Sequence, residues 1–586
     1  MPAKKRKKKA AAVPDAAADP AAGGPPKPDP VDFADIGAQT AERILGPNPM
    51  VNIRGKDLLR VLGGALNEAL TKPQLIVEHY AKFVQETANI LQGKSKVMPE
   101  RGDRRFMDPA WANMPLYGGL LQVYLAGCRQ VNAWIDETHG AEDDNARAKF
   151  LASVLNDALA PTNTIINPAA IRKFLETGGA SAVRGITNLI NDVIYNEGWP
   201  SQVDKSAFEV GKNLALTPGA VVFKNDLVEL IHYQPRTKTV RTRPILVVPP
   251  QINKFYVFDL SPEKSFADFI TNHGIDTFIV SWRNPTPEHR DWGFNDYIEK
   301  LEEAVDAVLE ISGSPDCNVM GACSGGITIA MLLGYFAAAK KQKVNSLTLL
   351  VSLFDASTKN VLGLFATEEA VEAARRRSYE SGVLEGKDMA KVFSLMRPND
   401  LIWNYWVNNY LLGNDPPAFD ILYWNCDTTR LPAKLHGEML SMYKYNPFMQ
   451  KMGLDVRGLP IDLKQVTCDV FSVGGITDHI TPWESCYRSI HLFGGQIEFV
   501  LSNSGHIQSI LNPPGNAKSS YFTNKENPAS AREWKKTAVR REDSWWWYWL
   551  NWIRQRSGPD RPAPKTLGSK KHPPTVPAPG TYVFEP

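Results

Sequence analysis

The chain has 586 residues, which is more than one simple domain needs and ample for a large core. Apolar residues make up 43% and charged residues 22%, as in globular proteins, which excludes a wholly disordered chain, a collagen and a coiled coil. The net charge is +3, but six positive charges lie in residues 4–9, so the remainder carries −3 and is not a polycationic nucleic-acid binder.

Cysteine spacing and apolar runs indicate the compartment. The six cysteines contain no C-x-x-C pair, so neither a zinc site nor a disulfide framework is predicted, and a reducing compartment is the simplest interpretation. The basic N-terminus lacks the apolar region of a secretory signal. The longest uncharged run, residues 317–339, is interrupted by glycines and predicts a buried helix rather than a membrane span. We therefore expect a soluble, intracellular protein without a transmembrane segment.

The first part of the chain divides into a tail and a helical region. Residues 1–33 are rich in Ala, Pro and Lys and have too few bulky apolar side chains to fold. We interpret the lysine run as part of a solvated tail, with nuclear targeting or anion binding as the alternative. Residues 34–205 are assigned to a mostly helical N-terminal domain because apolar residues recur at i, i+3 and i+4. The predicted helices cover residues 56–70, 73–91, 114–137 and 145–159.

After about residue 198 the pattern changes to short apolar runs that alternate with helices. Strands are predicted at residues 228–233, 244–250, 277–281, 318–320, 346–352, 466–473 and 497–501. Helices are predicted between them, for example at residues 297–311 and 326–339. Continuous apolar runs bounded by turn residues are typical of buried parallel strands. The alternation predicts a mostly parallel, doubly wound α/β sheet in a catalytic domain of residues 206–586.

A long insertion interrupts this alternation. About 110 residues separate the strand that ends near Phe354 from the strand that begins near Val466, far more than an ordinary connection between such elements. The segment is rich in Trp and Tyr. We expect residues 355–446 to fold as a cap over the sheet that controls access to a site.

The sequence Gly321-Ala-Cys-Ser-Gly-Gly326 lies between a predicted strand and a predicted helix. A G-x-C-x-G box in that context is typical of the nucleophile elbow of an α/β-hydrolase fold, and its glycines let the backbone approach neighbouring elements. The turn should place the sulfur of Cys323 at the edge of the sheet, facing a helix N-terminus that favours a thiolate. The alternative is a buried cysteine in a glycine-rich turn.

A nucleophile of this kind needs a base and an acid, which follow it in the order acid, then histidine. Asp478 and His506 follow the last two predicted strands in that order, so we assign them as the acid and the base. Asp355, which ends an earlier strand, is the alternative acid. His479 is the alternative base, but it cannot readily bond to the adjacent Asp478, so we expect it to have a hydrogen-bonding role near the thiol.

Two backbone N–H groups should form an oxyanion hole. Ser324 should supply one, and the Pro-Pro-Gln-Ile-Asn-Lys loop at residues 249–254 should supply the other. Prolines cannot donate, so the candidates in the loop are Gln251 and Ile252, of which we favour Ile252. We assign Asn253 of the same loop a supporting role.

Cysteine in place of serine favours acyl transfer over hydrolysis. An enzyme that takes an acyl group from a thioester onto its own sulfur conserves the energy of the bond, so the acyl group stays activated for transfer to an alcohol. Hydrolysis stays the alternative, because cysteine hydrolases of this fold also exist.

At several segments the sequence resembles the polyhydroxyalkanoate synthases. The matching segments are residues 102–111, 249–254, 318–326, 397–406, 478–482 and 504–514. The resemblance covers roughly residues 35–586. The length, the cysteine box and the Ser-Trp-Trp-Trp run near the C-terminus look most like the single-subunit, class II branch. The lysine-rich first thirty residues do not match that branch, so no role is transferred to them.

The resemblance implies a fold, a reaction and a location. It implies an α/β-hydrolase catalytic domain with an inserted cap, preceded by a helical domain for dimerisation and granule association. Cys323 would carry the growing chain, His506 would activate it, and Asp478 would also help to activate the 3-hydroxyl of the monomer. The substrate would be (R)-3-hydroxyacyl-CoA and the products CoA and polyester. No metal or redox cofactor is expected, since the CoA thioester is the substrate.

The resemblance also implies a homodimer in the cytoplasm, at the surface of polyester granules, with granule-coat proteins (phasins) as candidate partners and no nucleic acid. The class II branch favours medium-chain monomers, with broad specificity as the alternative. Two other functions stay open from the residues, namely a cysteine hydrolase that releases 3-hydroxy acids and a granule-coat protein with an inert triad. We expect the Trp-rich residues 544–552 to form a helix packed on the body, with a membrane-interface belt as the alternative.

Overall fold

The computed structural model describes residues 71–100, 102–138, 142–357, 363 and 367–586. The predicted tail and the predicted helix at residues 56–70 lie outside the described residues. All described residues belong to one compact unit.

The described residues before about residue 200 are mostly helical, as predicted. The helices are α1 (Pro73–Leu91), α2 (Pro109–Asn113), α3 (Pro115–Glu137), α4 (Glu142–Ala158), α5 (Pro168–Glu176) and α6 (Ala180–Tyr195). Four of them, α1, α2, α3 and α5, begin with a proline, which is favourable there because the first turn of a helix has no intrahelical acceptor for that N–H group. The bounds of α1 agree with the predicted helix.

The second part of the chain forms a mixed sheet of ten strands. The strands of the chain are β1 (Gly219–Lys224), β2 (Val228–Tyr233), β3 (Thr239–Arg241), β4 (Ile245–Val248), β5 (Thr277–Trp282), β6 (Cys317–Ala322), β7 (Val344–Leu350), β8 (Val383–Leu384), β9 (Leu431–Pro432), β10 (Leu454–Val456), β11 (Leu459–Ile461), β12 (Asp469–Gly475), β13 (Ile497–Ser502), β14 (Ser520–Thr523), β15 (Val539–Glu542) and β16 (Asp560–Pro562). The order in the large sheet is β1-β2-β5-β4-β6-β7-β12-β13-β14-β15. The six central strands, β5 to β13 in that order, are parallel, and the strands at both edges are antiparallel. All seven predicted strands are present, while β1, β14 and β15 were not predicted.

Helices cover both faces of the central strands. The helices that the structure describes after β1 are α7 (Phe266–Asn272), α8 (Phe294–Ser312), α9 (Ser324–Ala338), α10 (Glu368–Ser381), α11 (Gly386–Met396), α12 (Asp420–Cys426), α13 (Ala433–Tyr445), α14 (Trp483–Ile490), α15 (His506–Ile510), α16 (Ala531–Thr537) and α17 (Trp545–Arg554). In β4, Leu246 and Val248 belong to one hydrophobic core, whereas Ile245 and Val247 belong to the other. Burial on both faces explains the continuous apolar run in the sequence, because no position of the strand faces water.

The Trp-rich segment packs on the body, as we expected. In α17 the indoles of Trp545, Trp546 and Trp549 are buried, and Trp549 Nε1 donates to Thr348 Oγ1 of β7 over 3.0 Å. Trp547 remains 40% exposed. No helix in the described part of the chain is long and apolar enough to cross a membrane.

The insertion between β7 and β12 contacts the N-terminal helices. It contains α10 to α13 and two π-helical segments, Asn399–Trp403 and Trp406–Leu411. Asn188 Nδ2 of α6 donates to the carbonyl oxygens of Asn409 and Asn414, and Tyr410 donates its hydroxyl to Asp192 over 2.7 Å. The backbones of the two elements approach closely at Gly185, where a Cβ atom would overlap the Tyr410 carbonyl oxygen.

Gly185→Ala should therefore destabilise the protein by about 1–3 kcal/mol, as overpacking does, because the added methyl group pushes α6 away from the insertion. Gly119→Ala is the matched control, since a Cβ at this helical position has no described atom within 4 Å and alanine favours a helix. Thermal unfolding of both variants tests the prediction. Equal melting temperatures for the two variants would contradict it.

Candidate active site

The turn between β6 and α9 forms a strained elbow. Cys323 has φ 50° and ψ −120°, in the left-handed half of backbone space where residues other than glycine are uncommon. A Cβ on Gly325 would overlap the carbonyl oxygens of Val248 and Pro249, and a Cβ on Gly326 would overlap Ser352 Oγ. The glycines of the box therefore allow close backbone approach, as predicted, and they place Cys323 between the end of β6 and the N-terminus of α9.

Asp478 and His506 lie on the loops that follow β12 and β13, and their side chains meet. His506 Nδ1 donates to Asp478 Oδ2 over 2.7 Å, and both side chains are buried. Asp478 Oδ1 accepts the backbone N–H groups of Ile480 and Thr481 at 2.9 Å each. Cys323 and His506 line the same cavity, and the thiol acts electrostatically on the imidazole. The structure thus brings the predicted nucleophile to the same site as the hydrogen-bonded base and acid.

Sequence reasoning missed the hydroxyl of Thr481 in this group. Thr481 Oγ1 donates to Asp478 Oδ2 over 2.7 Å and lies 3.2 Å from His506 Nδ1. Together with the two backbone donors it saturates the carboxylate and fixes its rotamer. The only local signal was the position of Thr481 three residues after Asp478. At that spacing the N–H and the hydroxyl of a threonine can both donate to the carboxylate, as in an Asx turn.

The imidazole of His506 and the carboxylate of Asp478 stabilise each other's charged form. Burial alone would lower the pKa of His506, but the negative charges of Asp478 and Cys323 and the hydrogen bonds to both outweigh it and raise this pKa to about 10. Burial likewise opposes the charge of Asp478, yet the imidazole and the hydrogen bonds from Thr481 lower the pKa of the carboxyl. The arrangement therefore favours a protonated imidazole beside the ionised carboxylate of Asp478.

The alternative acid and the alternative base have other surroundings. Asp355 accepts Arg488 Nε over 2.6 Å and Asn446 Nδ2 over 3.1 Å. Although burial opposes its charge, hydrogen bonds from Ser357 and Arg488 lower its pKa to about 2. Both ring nitrogens of His479 are buried without a hydrogen-bond partner among the described residues, and burial, aided by the charge of Arg397, lowers its pKa to about 4. Asp355 thus contacts an arginine rather than a histidine.

Of the two candidate donors in the loop at residues 249–254, one is free and one is occupied. Gln251 N donates to Ser324 Oγ over 3.2 Å, so this N–H is occupied. The backbone N–H groups of Ile252 and Ser324 have no acceptor among the described residues. Asn253 Nδ2 lies 3.4 Å from the carbonyl oxygens of Trp424 and Asn425, so it links the loop to the insertion. Of the two candidates in this loop, the geometry favours Ile252.

A cavity of about 930 Å³ opens on these groups. Its walls come from the catalytic loops, the insertion and the N-terminal region. The lining residues include Ile252, Asn253, Cys323, His479, His506, Phe393, Trp403, Tyr405, Arg104 and Arg105. Among the described residues no group of three or more His, Cys, Asp or Glu side chains is placed to hold a metal ion. The cavity thus reaches Cys323 and His506 together.

Comparison with known proteins shows the family. Residues 102–270 match the family described as "Poly-beta-hydroxybutyrate polymerase (PhaC) N-terminus", and residues 244–513 match the alpha/beta hydrolase fold. The chain is 54% identical over 551 residues to "Poly(3-hydroxyalkanoate) polymerase 1" of Ectopseudomonas oleovorans, which covers 94% of this chain and 99% of the relative. It is 51% identical to "Poly(3-hydroxyalkanoate) polymerase 2" of the same organism, over 92% of this chain and 96% of the relative.

A more distant relative matches over most of its length as well. The chain is 38% identical over 502 residues to "Poly(3-hydroxyalkanoate) polymerase subunit PhaC" of Cupriavidus necator, over 84% of this chain and 85% of the relative. These matches include both the helical region and the catalytic region. The α/β-hydrolase fold with a helical N-terminal region is confirmed, and the chain belongs to the poly(3-hydroxyalkanoate) polymerase family.

Proposed function

We propose that the protein polymerises (R)-3-hydroxyacyl-CoA to a polyester and releases CoA, with Cys323 as nucleophile, His506 as base and Asp478 as acid. The observation that carries the proposal is the 54% identity, over nearly the whole chain, to a protein named as a poly(3-hydroxyalkanoate) polymerase. The hydrogen bond between His506 and Asp478, and the cavity that Cys323 and His506 both line, support the assignment of their roles.

In the first step the Cys323 sulfur attacks the thioester carbonyl carbon. The N–H groups of Ser324 and Ile252 stabilise the negative oxygen of the tetrahedral intermediate. The carbon–sulfur bond to CoA then breaks, and the CoA sulfur takes the proton that His506 holds, so the products are free CoA and an acyl group on Cys323. Asp478 holds the imidazole in orientation throughout and stabilises its charge.

In the second step a hydroxyl group accepts the acyl group. His506, aided by Asp478, takes the proton of the 3-hydroxyl, whose oxygen attacks the Cys323 thioester. A carbon–oxygen bond forms, the carbon–sulfur bond breaks, and the chain becomes longer by one unit. Elongation at one thiol with a noncovalently held intermediate, and elongation at two acylation sites, both agree with this chemistry.

We further propose that residues 34–205 act as a helical domain and residues 206–586 as the catalytic domain, with residues 355–446 as its cap. Large apolar side chains on α5 and α6 and just before them are exposed to solvent. They are Ile165, Phe174, Leu175, Val183, Ile186 and Tyr195. Such a surface supports association with the polymer granule, with phasins on it, or with a second copy of the chain in a homodimer. Catalysis then takes place at the granule surface in the cytoplasm, without a metal or redox cofactor.

The test is CoA release from 3-hydroxyacyl-CoA substrates of increasing chain length, with the polymer recovered and its monomers identified. Polymer rich in medium-chain units is the expected result. Recovery of monomeric acid alone would instead identify a hydrolase, because water would then be the acceptor.

Cys323→Ala should lower the rate of CoA release by at least about a thousandfold, because no other group can hold the acyl chain. Cys317→Ala is the matched control, as this thiol is buried in β6, the strand that precedes Cys323, and burial raises its pKa. The control should keep its turnover. A Cys323→Ala variant with normal CoA release would rule out the mechanism.

Asp478→Asn should lower kcat by about 10³–10⁴-fold, because the amide no longer holds the imidazole in the required tautomer. Asp355→Asn should change kcat little and lower thermal stability, since it breaks the ion pair between the buried Asp355 and the half-buried Arg488. Steady-state kinetics and thermal unfolding of both variants decide the assignment. The reverse pattern would move the acid to Asp355.

The stability of the protein should depend on the charge of His506. Its pKa is about 10 in the folded chain and 6.5 when unperturbed. The protonated imidazole therefore stabilises the fold fully below about pH 6.5, and this contribution is lost as the pH rises towards 10. The difference in melting temperature between the wild type and His506→Gln should narrow between pH 6 and pH 10. A difference that widens with pH would show that His506 is not protonated at neutral pH.

A further inference from the structure

The loop that carries Ile252 is paired with a segment of the insertion. An antiparallel bridge joins Asn253 of the loop to Thr428 of the insertion. At one end Thr429 N donates to Ile252 O over 2.9 Å, and Thr429 Oγ1 donates to Gln251 O over 2.6 Å. We call this arrangement the loop–insertion pairing.

The other end of the loop–insertion pairing is held by side chains. Trp424 Nε1 donates to Lys254 O over 2.7 Å, and the Tyr256 hydroxyl donates to Asp427 Oδ2 over 2.7 Å. Trp424 is 2% exposed, so its bond to the loop is shielded from water. The insertion therefore holds the loop at Gln251–Ile252 and again at Lys254.

The contacts of Thr429 determine the direction of one N–H group. The carbonyl of Gln251 and the N–H of Ile252 belong to the same peptide unit, which is planar and trans, so its N–H points opposite to its C=O. A hydrogen bond that fixes Gln251 O therefore also fixes the direction of the Ile252 N–H. Thr429 N holds the next peptide unit through Ile252 O. Both peptide planes that flank Ile252 are thus held by one residue of the insertion.

We propose that Thr429 is a positioning residue that orients the Gln251–Ile252 peptide and so aims the Ile252 N–H at the oxyanion. The inference rests on the proposed function, in which this N–H stabilises the tetrahedral intermediate. Thr429 is 2% exposed and does not line the cavity, so it acts through the loop and not on the substrate. The oxyanion hole is then complete only while residues 424–429 of the insertion lie against the loop.

Thr429→Val tests the proposal, because valine has the shape of threonine but lacks the hydroxyl that holds Gln251 O. Loss of one such hydrogen bond should lower kcat for CoA release by about 5- to 10-fold. KM should not change, because the hydrogen bond matters only in the transition state. Thr429→Ser keeps the hydroxyl and should retain kcat within about twofold. The rate of alkylation of Cys323 by iodoacetamide should be the same in both variants, since the nucleophile and the base are intact.

A second pair of variants separates alignment of the loop from general loosening of the insertion. Tyr256→Phe removes the hydroxyl that bonds to Asp427 and should also lower kcat at constant KM. This variant replaces Thr429→Val as the test if Thr429→Val does not fold. Ser378→Ala removes a buried hydroxyl elsewhere in the insertion, 2.7 Å from His436 Nδ1, and should leave kcat unchanged.

The proposal is overturned if Thr429→Val and Tyr256→Phe release CoA with the kcat of the wild type, or if Ser378→Ala lowers kcat as much as they do. A rise in KM at constant kcat would also overturn it. Failure of the proposed function is a different result, because a wild type that yields only monomeric acid still releases CoA, and the comparison of variants still applies to that reaction.

Discussion

Close backbone approach at the turn after β6 is the constraint on which the site depends. Gly325 contacts the carbonyl groups of Val248 and Pro249 so closely that a methyl group would not fit, and Gly326 meets Ser352 on the other side. The turn packs between the ends of β4 and β7. This packing holds the sulfur of Cys323 at the edge of the sheet although the Cys323 backbone is strained. The loops after β4, β12 and β13 begin at that same edge, so Ile252, Asp478 and His506 lie near the Cys323 sulfur.

Two histidines near this edge show how surroundings decide protonation. His479 and His506 are both largely removed from water, and for both burial disfavours the charged form. Only His506 has a carboxylate within 2.7 Å, which reverses the effect of burial. His479 follows Asp478 directly in the chain but makes no hydrogen bond to it. Asp478 therefore stabilises the charged form of His506, which is distant in sequence, while His479 stays neutral. Proximity in sequence is thus a poor guide to which imidazole carries the proton.

The sequence was sufficient to predict the central strands, because burial on both faces leaves continuous apolar runs. It also predicted that Cys323, Asp478 and His506 follow three of these strands and so lie at one edge of the sheet. It did not predict β14 and β15 at the edge of the sheet. All four residues of β15 are exposed, so no hydrophobic pattern marks it. Thr429 and Thr481 were missed for another reason. Their importance comes from contacts with Gln251 and with Asp478 that only the folded chain creates, and an isolated threonine carries no pattern of its own.

The contact between α6 and the insertion bears on how such enzymes can be recombined. Asn188 and Asp192 of α6 bond to residues 409–414, and Gly185 leaves room for their backbone. A chimaera joined after α6 would combine the helix of one parent with the insertion of another and would lose this complementarity. A crossover placed before residue 180 would keep α6 and the insertion from the same parent. The segment that should be exchanged as one piece is therefore larger than the α/β-hydrolase domain, because it includes α6.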